Sequence, residues 1–390
     1  MDRNDARLNI ALIRQRYTAF GGAERFLDRA MRALGRENAS ITLITRQWRN
    51  NGEFRVEVCD PFYAGRLWRD WSFARAVCKR LRAGDFDLVQ SHERIACCDV
   101  YRAGDGVHRE WLAQRRRVLS PLGRMALAVH PYHRYLLAAE KALFASPRLK
   151  AVICNSRMVQ EEIQARFGVP AGKLHVIHSG VDIARYHPDL KARYRAVVRQ
   201  QWGIPESATL FLFVGAAFER KGLRILLETL PALPDHARLM VVGKDKKMNA
   251  YLRLAEKLGV RERVHFAGAQ QDTTPYYGAA DVLVLPTLYD PFPNVVLEAM
   301  AAALPVITSL KCGAMDLIQS GVNGYTCDAM DRATLQRHMR ELLEQGKRDR
   351  MGAVARATVE PLTLEAMGKK LIALYTYLID DTRTADMRRE

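Results

Sequence analysis

The residues best equipped for chemistry lie in the second half of the chain. Gly215-Ala216-Ala217-Phe218-Glu219-Arg220-Lys221-Gly222 sets a guanidinium beside an ammonium where an apolar run ends and a helical pattern begins. Such a pair suits a diphosphate, because arginine grips two oxygens at once and lysine adds a compact charge. A solvated basic turn would read the same way. Further on, Tyr289-Asp290-Pro291-Phe292-Pro293-Asn294-Val295-Val296-Leu297-Glu298 carries two carboxylates. Its prolines impose an extended approach, and Asn294 is the expected N-cap of a helix whose first amides form an anion site. An approach part extended and part helical separates Asp290 from Glu298 by at least about 12 Å at a 1.5 Å rise per residue. Hydrolytic carboxylate pairs stand about 5 to 10 Å apart, so these two acids are expected to hold opposite ends of one long ligand. A turn aspartate and a buried helix glutamate are the alternative.

The first half offers weaker signals. Phe20-Gly21-Gly22-Ala23-Glu24 follows an apolar run and opens a helical pattern. Gly21 and Gly22 would let an anionic ligand approach the backbone, or would merely supply unusual dihedrals to a turn. Asp105 and His108 lie in Tyr101-Arg102-Ala103-Gly104-Asp105-Gly106-Val107-His108, which follows a strand-like run. Beyond them Trp111, Arg115, Arg116, Arg117 and Arg124 are interleaved with aliphatic residues. That pattern suits a helix or loop on an anionic membrane, each basic residue adding about 1 kcal/mol near the surface. It equally suits an amphipathic helix packed on its own domain.

These residues need a frame, and the apolar runs supply one. Strand patterns fall at residues 8–13, 41–45, 87–91, 151–155 and 174–178, then at 210–214, 239–243, 264–267, 282–286 and 306–309. Helical patterns between them, at 222–230, 249–258 and 294–303 among others, give βαβ grammar. The expected fold is α/β: two doubly wound, Rossmann-like parallel sheets facing a cleft. At roughly 150 residues per domain, 390 residues allow two or three. The polar, Arg-rich stretch after His187-Pro188 is the expected linker. It gives domains of 1–189 and 190–361, with a final helical stretch in 362–390 packing back on the first.

Taken together, Phe20-Gly21-Gly22-Ala23-Glu24, Val152-Ile153-Cys154-Asn155-Ser156, Val176-Ile177-His178-Ser179-Gly180-Val181-Asp182, Glu219-Arg220-Lys221-Gly222 and Pro293-Asn294-Val295-Val296-Leu297-Glu298-Ala299-Met300-Ala301 resemble the retaining glycosyltransferases of family 4, which have the GT-B fold. The resemblance covers nearly the whole chain. It implies that Gly21, Gly22, Arg220, Lys221, Asp290, Phe292, Pro293, Asn294, Val295 and Glu298 bind a nucleotide-sugar donor. Arg220 and Lys221 would stabilise the leaving diphosphate, Glu298 would bond the ribose hydroxyls, and Asp290 would hold a hydroxyl of the transferred sugar. The family's motif has glutamate at both ends, and Asp290 is one methylene shorter. Asp105 resembles an acid lining the acceptor cleft of lipopolysaccharide core glucosyltransferases, with His108 competing for the acceptor-side role. That likeness implies UDP-glucose as donor, a glycolipid acceptor, no cofactor, and a cytoplasmic enzyme peripheral on the anionic inner face of the inner membrane; the alternative within the family is another nucleotide sugar and another glycolipid. Asp85-Phe86-Asp87 matches the D-x-D spacing of metal-dependent transferases, but it abuts a strand pattern and reads as loop acids, so no metal is expected.

Composition sets outer bounds. Lysine and arginine number 60 against 43 acids, a net charge of +17 and a pI near 9.7, which calls for anionic partners. Nucleic acid would satisfy it, yet no zinc-finger spacing, RNP-like aromatic motif or helix-turn-helix signature stands out. A dinucleotide oxidoreductase would need a G-x-G-x-x-G after a strand, and there is none. The seven cysteines show no C-x-x-C and read as reduced, mostly buried thiols of a cytosol. No apolar run approaches the roughly 20 residues of a membrane span, and the N-terminal run is too short for a secretory signal.

Overall fold

The structure, a computed structural model, describes residues 8–15, 39–47, 55–82 and 86–387. It divides into two compact units, one of residues 1–178 with 365–390 and the other of residues 179–364. In the first, strands β1 (Leu8–Ile13), β2 (Ala39–Thr45), β3 (Arg55–Val58), β4 (Leu88–Ser91), β5 (Val100–Arg102), β6 (Ala151–Cys154) and β7 (Leu174–Val176) pair in the order β3-β2-β1-β4-β5-β6-β7. All of these pairings are parallel, with Ile10 opposite both Ile41 and Leu88.

The C-terminal helix, Leu364–Met387, belongs to this unit. Met367, Leu371, Leu374 and Leu378 recur at helical spacing. They pack with Tyr375 and Ile379 on Ile10, Leu12, Ile41, Val100 and Ile153 of the sheet. The Tyr375 hydroxyl donates to the buried Gln90 amide oxygen, so the polar atom that the helix carries inward is satisfied.

The second unit repeats the design with β8 (Thr209–Val214), β9 (Ala237–Val242), β10 (Val264–Gly268), β11 (Val282–Leu285), β12 (Val306–Ser309) and β13 (Gly324–Cys327), ordered β10-β9-β8-β11-β12-β13. Burial of every residue in β8, β11 and β12 is what a parallel sheet covered on both faces requires. Strand order reverses between β1 and β4 in one sheet and between β8 and β11 in the other. Crevices at such switch points are where open α/β sheets bind ligands.

The division falls between His178 and Ser179, not at the expected 189/190. Val181 already pairs with Thr363 and donates to Leu362 O at 2.8 Å. A Cβ on Gly180 would stand 2.5 Å from Thr363 O, so this strip lies flush within the second unit. The Arg-rich stretch expected as linker is the helix Leu190–Gln201. Two of its arginines explain why: Arg195 and Arg199 bind the buried Asp281 at 2.9 and 2.7 Å.

One further expectation is corrected: Cys78 and Cys97 form a disulfide, with Cα atoms 5.7 Å apart, so the cysteines are not all reduced. It ties the helix Gly65–Leu81 to the segment between β4 and β5. Cys98, Cys154, Cys312 and Cys327 are free and buried, and burial pushes their thiols up to about 12.

Candidate functional site

In the second unit the loops after β8 and β11 meet at the switch point. Gly222 permits the approach: its φ is +80°, and a Cβ there would lie 1.9 Å from Pro286 O. Thr287 Oγ1 and the Leu288 amide both donate to Arg220 O at 2.8 Å, locking one loop on the other. The lock sets the Lys221 ammonium 2.6 Å from Asp290 Oδ2, with the Arg220 guanidinium at 3.9 Å. Lys221 and Asp290 are 8% and 5% exposed, whereas the Arg220 side chain is 35% exposed. Burial works against an ionised Asp290, but Lys221, Arg220 and the Phe292 amide outweigh it and hold its carboxyl below the usual range. Two cations against one carboxylate leave a net positive charge facing the crevice.

The helix Asn294–Ala301 starts beside this trio. Pro293, not Asn294, is its N-cap, with φ −74° and ψ 121°. The Val296 amide donates to Pro293 O at 3.1 Å, so the amides without an intrahelical acceptor are those of Asn294 and Val295 rather than Val295 and Val296. Phe292 and Pro293 are buried against the loop. Within the helix, Glu298 is 5% exposed and accepts from the Tyr277 hydroxyl at 2.9 Å. Sequence reasoning missed Tyr277, which comes from the helix Thr274–Ala279 and has no motif of its own.

The first unit holds a cavity of about 320 Å³ where β1 and β4 end. Arg14, Arg69 and Arg94 line it with Asp70, Glu93 and Asp105. The charges are matched in pairs: Arg14 to Glu93 at 3.4 Å, Arg69 to Asp70 at 2.7 Å, and Arg94 to Glu140 at 3.2 Å and Asp105 at 4.0 Å. Burial raises the Glu93 carboxyl above its ordinary value despite Arg14 and the Gln15 amide. Tyr132 donates to Asp70 at 2.8 Å. A balanced set of donors and acceptors of this kind suits a polyhydroxyl ligand better than a bare anion. Of this lining only Asp105 was anticipated, although Arg14 directly follows β1 and Glu93 comes two residues after β4, the strands that flank the switch point.

Asp105 is exposed at the cavity's edge. His108 is buried rather than solvated. It opens the helix His108–Val118 at 8% exposure, with Nε2 3.1 Å from His133 Nδ1. Burial, Arg94 and His133 lower its pKa to about 3, so the ring is neutral. Trp111 is half-buried under Arg115, whose guanidinium carbon lies 5.9 Å from the ring centroid. Arg116 and Arg117 are exposed. Arg124, on the next helix Pro121–Val129, turns back to Arg116 O at 2.9 Å and Leu119 O at 3.1 Å, capping the preceding helix. That second helix leaves Leu122, Met125 and Val129 exposed. Asp87 accepts from the Asn9 amide at 2.7 Å. Asp85, Gly21 and Gly22 lie outside the described residues.

Two doubly wound parallel sheets, the second carrying a basic pair and two fixed acids at its switch point, define a GT-B glycosyltransferase. The sequence matches the family Glycosyltransferase Family 4 over residues 20–185 and Glycosyl transferases group 1 over residues 195–358, and the chain belongs to these enzymes. It is 28% identical over 310 residues to the lipopolysaccharide glucosyltransferase WaaG of Escherichia coli, covering 78% of this chain and 81% of that one. The crystal structure of WaaG superposes with a TM-score of 0.80 at 26% identity, covering 93% of this chain and 98% of that one. The lipopolysaccharide core biosynthesis glycosyltransferase LpsE of Rhizobium meliloti is 30% identical over 188 residues, 46% of this chain and 55% of LpsE. Anabaena HepE in complex with UDP-glucose shares the fold, with a TM-score of 0.72 at 21% identity over 95% of this chain and 100% of that one.

Proposed function

We propose that this glycosyltransferase moves a hexose, with UDP-glucose as donor, to a glycolipid of the lipopolysaccharide core, retaining anomeric configuration and using no metal. The observation that carries the reading is the convergence of Arg220 and Lys221 on Asp290 beside the amides of Asn294 and Val295. A sugar leaving a diphosphate puts negative charge on the departing oxygen. Fixed cations and helix amides aimed there lower the barrier without reorganisation. Arg220 and Lys221 take the diphosphate, and Glu298, steadied by Tyr277, takes the ribose hydroxyls. Asp290 orients Lys221 and uses its remaining lone pairs on a hydroxyl of the transferred sugar.

The acceptor side is the charge-balanced cavity of the first unit, with Asp105 at its edge orienting the attacking hydroxyl. Trp111, Arg115, Arg116 and Arg117 carry the enzyme to the anionic inner face of the inner membrane, where a lipid-linked acceptor is found. Among the described residues no helix is long and apolar enough to cross a membrane. Similarity to WaaG supports both the glucose and the lipopolysaccharide assignments.

Thermal midpoints in EDTA with UDP, UDP-glucose, GDP-mannose, ADP-glucose and NAD test the donor. A ligand at about 100 times its Kd adds roughly 2.7 kcal/mol. The expected result is a shift with uridine nucleotides alone. No shift with any of them refutes the donor assignment, and a shift that needs added metal refutes the metal-free route.

A further inference from the structure

The helix Gly65–Leu81 has two unlike faces. Ser72, Phe73, Val77 and Leu81 are buried. The other face, with the residues just before it, leaves Val58 67%, Phe62 78%, Trp68 42% and Trp71 45% exposed, with Leu67 beside them. So much aromatic surface in one short stretch marks an interaction site.

The stretch is held in place. Arg46, only 2% exposed, donates to Asp60, to Pro61 O at 2.8 Å, to Arg69 O at 2.7 Å and to Ser72 Oγ at 2.7 Å. A buried guanidinium therefore clamps the loop that bears Phe62 to the helix that bears Trp68 and Trp71. Phe62 projects from a fixed base.

We infer that this ridge inserts into an anionic lipid bilayer, at a place distinct from the basic helices of 108–129. Charge selects that partner. The helix exposes Arg66, Arg75 and Lys79, while its single acid, Asp70, is turned inward to Arg69, Gln15 and Tyr132 and Arg80 is paired with Glu57 at 2.7 Å. Ring geometry weighs against a sugar-stacking platform. Phe62 and Trp68 meet edge to face, at 5.5 Å and 88°, and the Arg75 guanidinium lies 5.7 Å from the Trp71 ring centroid. Indoles and phenyls at the acyl boundary, with arginines reaching back to phosphates, are an interfacial arrangement. The inference is independent of which donor and acceptor the enzyme uses.

The test is tryptophan quenching by vesicles of phosphatidylcholine and phosphatidylglycerol with brominated acyl chains, using the full chain, together with flotation. Trp68→Phe/Trp71→Phe is expected to lose the quenching those two residues contribute, leaving that of Trp111, yet float as the parent does, because phenylalanine keeps the apolar surface. Phe62→Ser/Trp68→Ser is expected to weaken partitioning about tenfold or more, with an unchanged melt confirming the fold. Arg115→Ser/Arg116→Ser/Arg117→Ser perturbs the other surface and leaves the Trp68 and Trp71 share of quenching per bound molecule intact, so the two contacts fail separately. Unchanged quenching in the phenylalanine variant, or parental flotation of the serine variant, overturns the inference. A loss of self-association or oligosaccharide binding in the serine variant with vesicle binding intact also overturns it, assigning the ridge to a second copy or a glycan.

Discussion

The pair Lys221–Asp290 joins stability to turnover, and the two can be pulled apart. Both groups are at least nine-tenths buried and 2.6 Å apart. Removing one partner of such a pair costs about 3–5 kcal/mol, because the other charge stays buried. Arg220, 3.9 Å from the same oxygen, still faces Asp290, so Lys221→Met belongs at the lower end, about 3 kcal/mol. At about 2–4 °C per kcal/mol for a unit of this size, the midpoint falls by about 6–12 °C. Lys221→Met/Asp290→Asn removes both charges and regains most of that loss. Turnover behaves otherwise: with the Lys221 cation gone from the leaving oxygen it drops about 100- to 1,000-fold in the single variant and stays down in the double.

The assay pairs sugar transfer with hydrogen exchange in β8 and β11, since two units need not unfold together. Recovery of turnover alongside stability in the double variant would show Lys221 to be structural and refute its role at the diphosphate. Acidity adds a check on sign. The folded Asp290 pKa lies below its ordinary 3.8, so the pair's contribution is complete above pH 3.8 and is lost as pH falls beneath it.

Two further outcomes are expected. Tyr277→Phe removes a hydroxyl that donates to the Glu298 carboxylate. Nucleotide binding should weaken about 3- to 10-fold with kcat little changed, and an unaltered nucleotide affinity would detach Glu298 from the ribose. His108 is held neutral in the fold, down to about pH 3 against an ordinary 6.5, so the unfolded chain binds its proton first and stability declines as pH drops from 6.5. Urea midpoints at pH 8 and pH 5 should differ less in His108→Gln than in the parent, and identical slopes would contradict a neutral buried ring.

Strand patterns placed β1 and β12 to the residue and most other central strands within one or two, because strands buried on both faces read as unbroken apolar runs. The short strands escaped. β3 is the edge strand Arg-Val-Glu-Val, β13 closes the other sheet with Gly-Tyr-Thr-Cys, and β5 has three residues, so none shows a long apolar run. The cluster of Arg220, Lys221, Asp290 and Glu298 was legible because it lies in two motifs that come after β8 and β11. The lining of the first unit's cavity was not, since Arg69, Asp70 and Tyr132 come from two helices far apart in sequence. Composition misplaced the linker because buried arginines such as Arg199 look like solvated ones until Asp281 is set opposite them.

The helix that completes the first unit is made only after the whole of the second. Residues 179–364 must all leave the ribosome before it appears, a wait of roughly 10 to 40 s at 5–20 residues per second. Through that interval the second unit can fold whole, while Ile10, Leu12, Ile41, Val100 and Ile153 lack their cover. The nascent first unit thus carries an open apolar sheet face, a natural client surface for a chaperone. A stop codon after residue 364 would spare all thirteen of the described strands and still leave the first unit in that unfinished state.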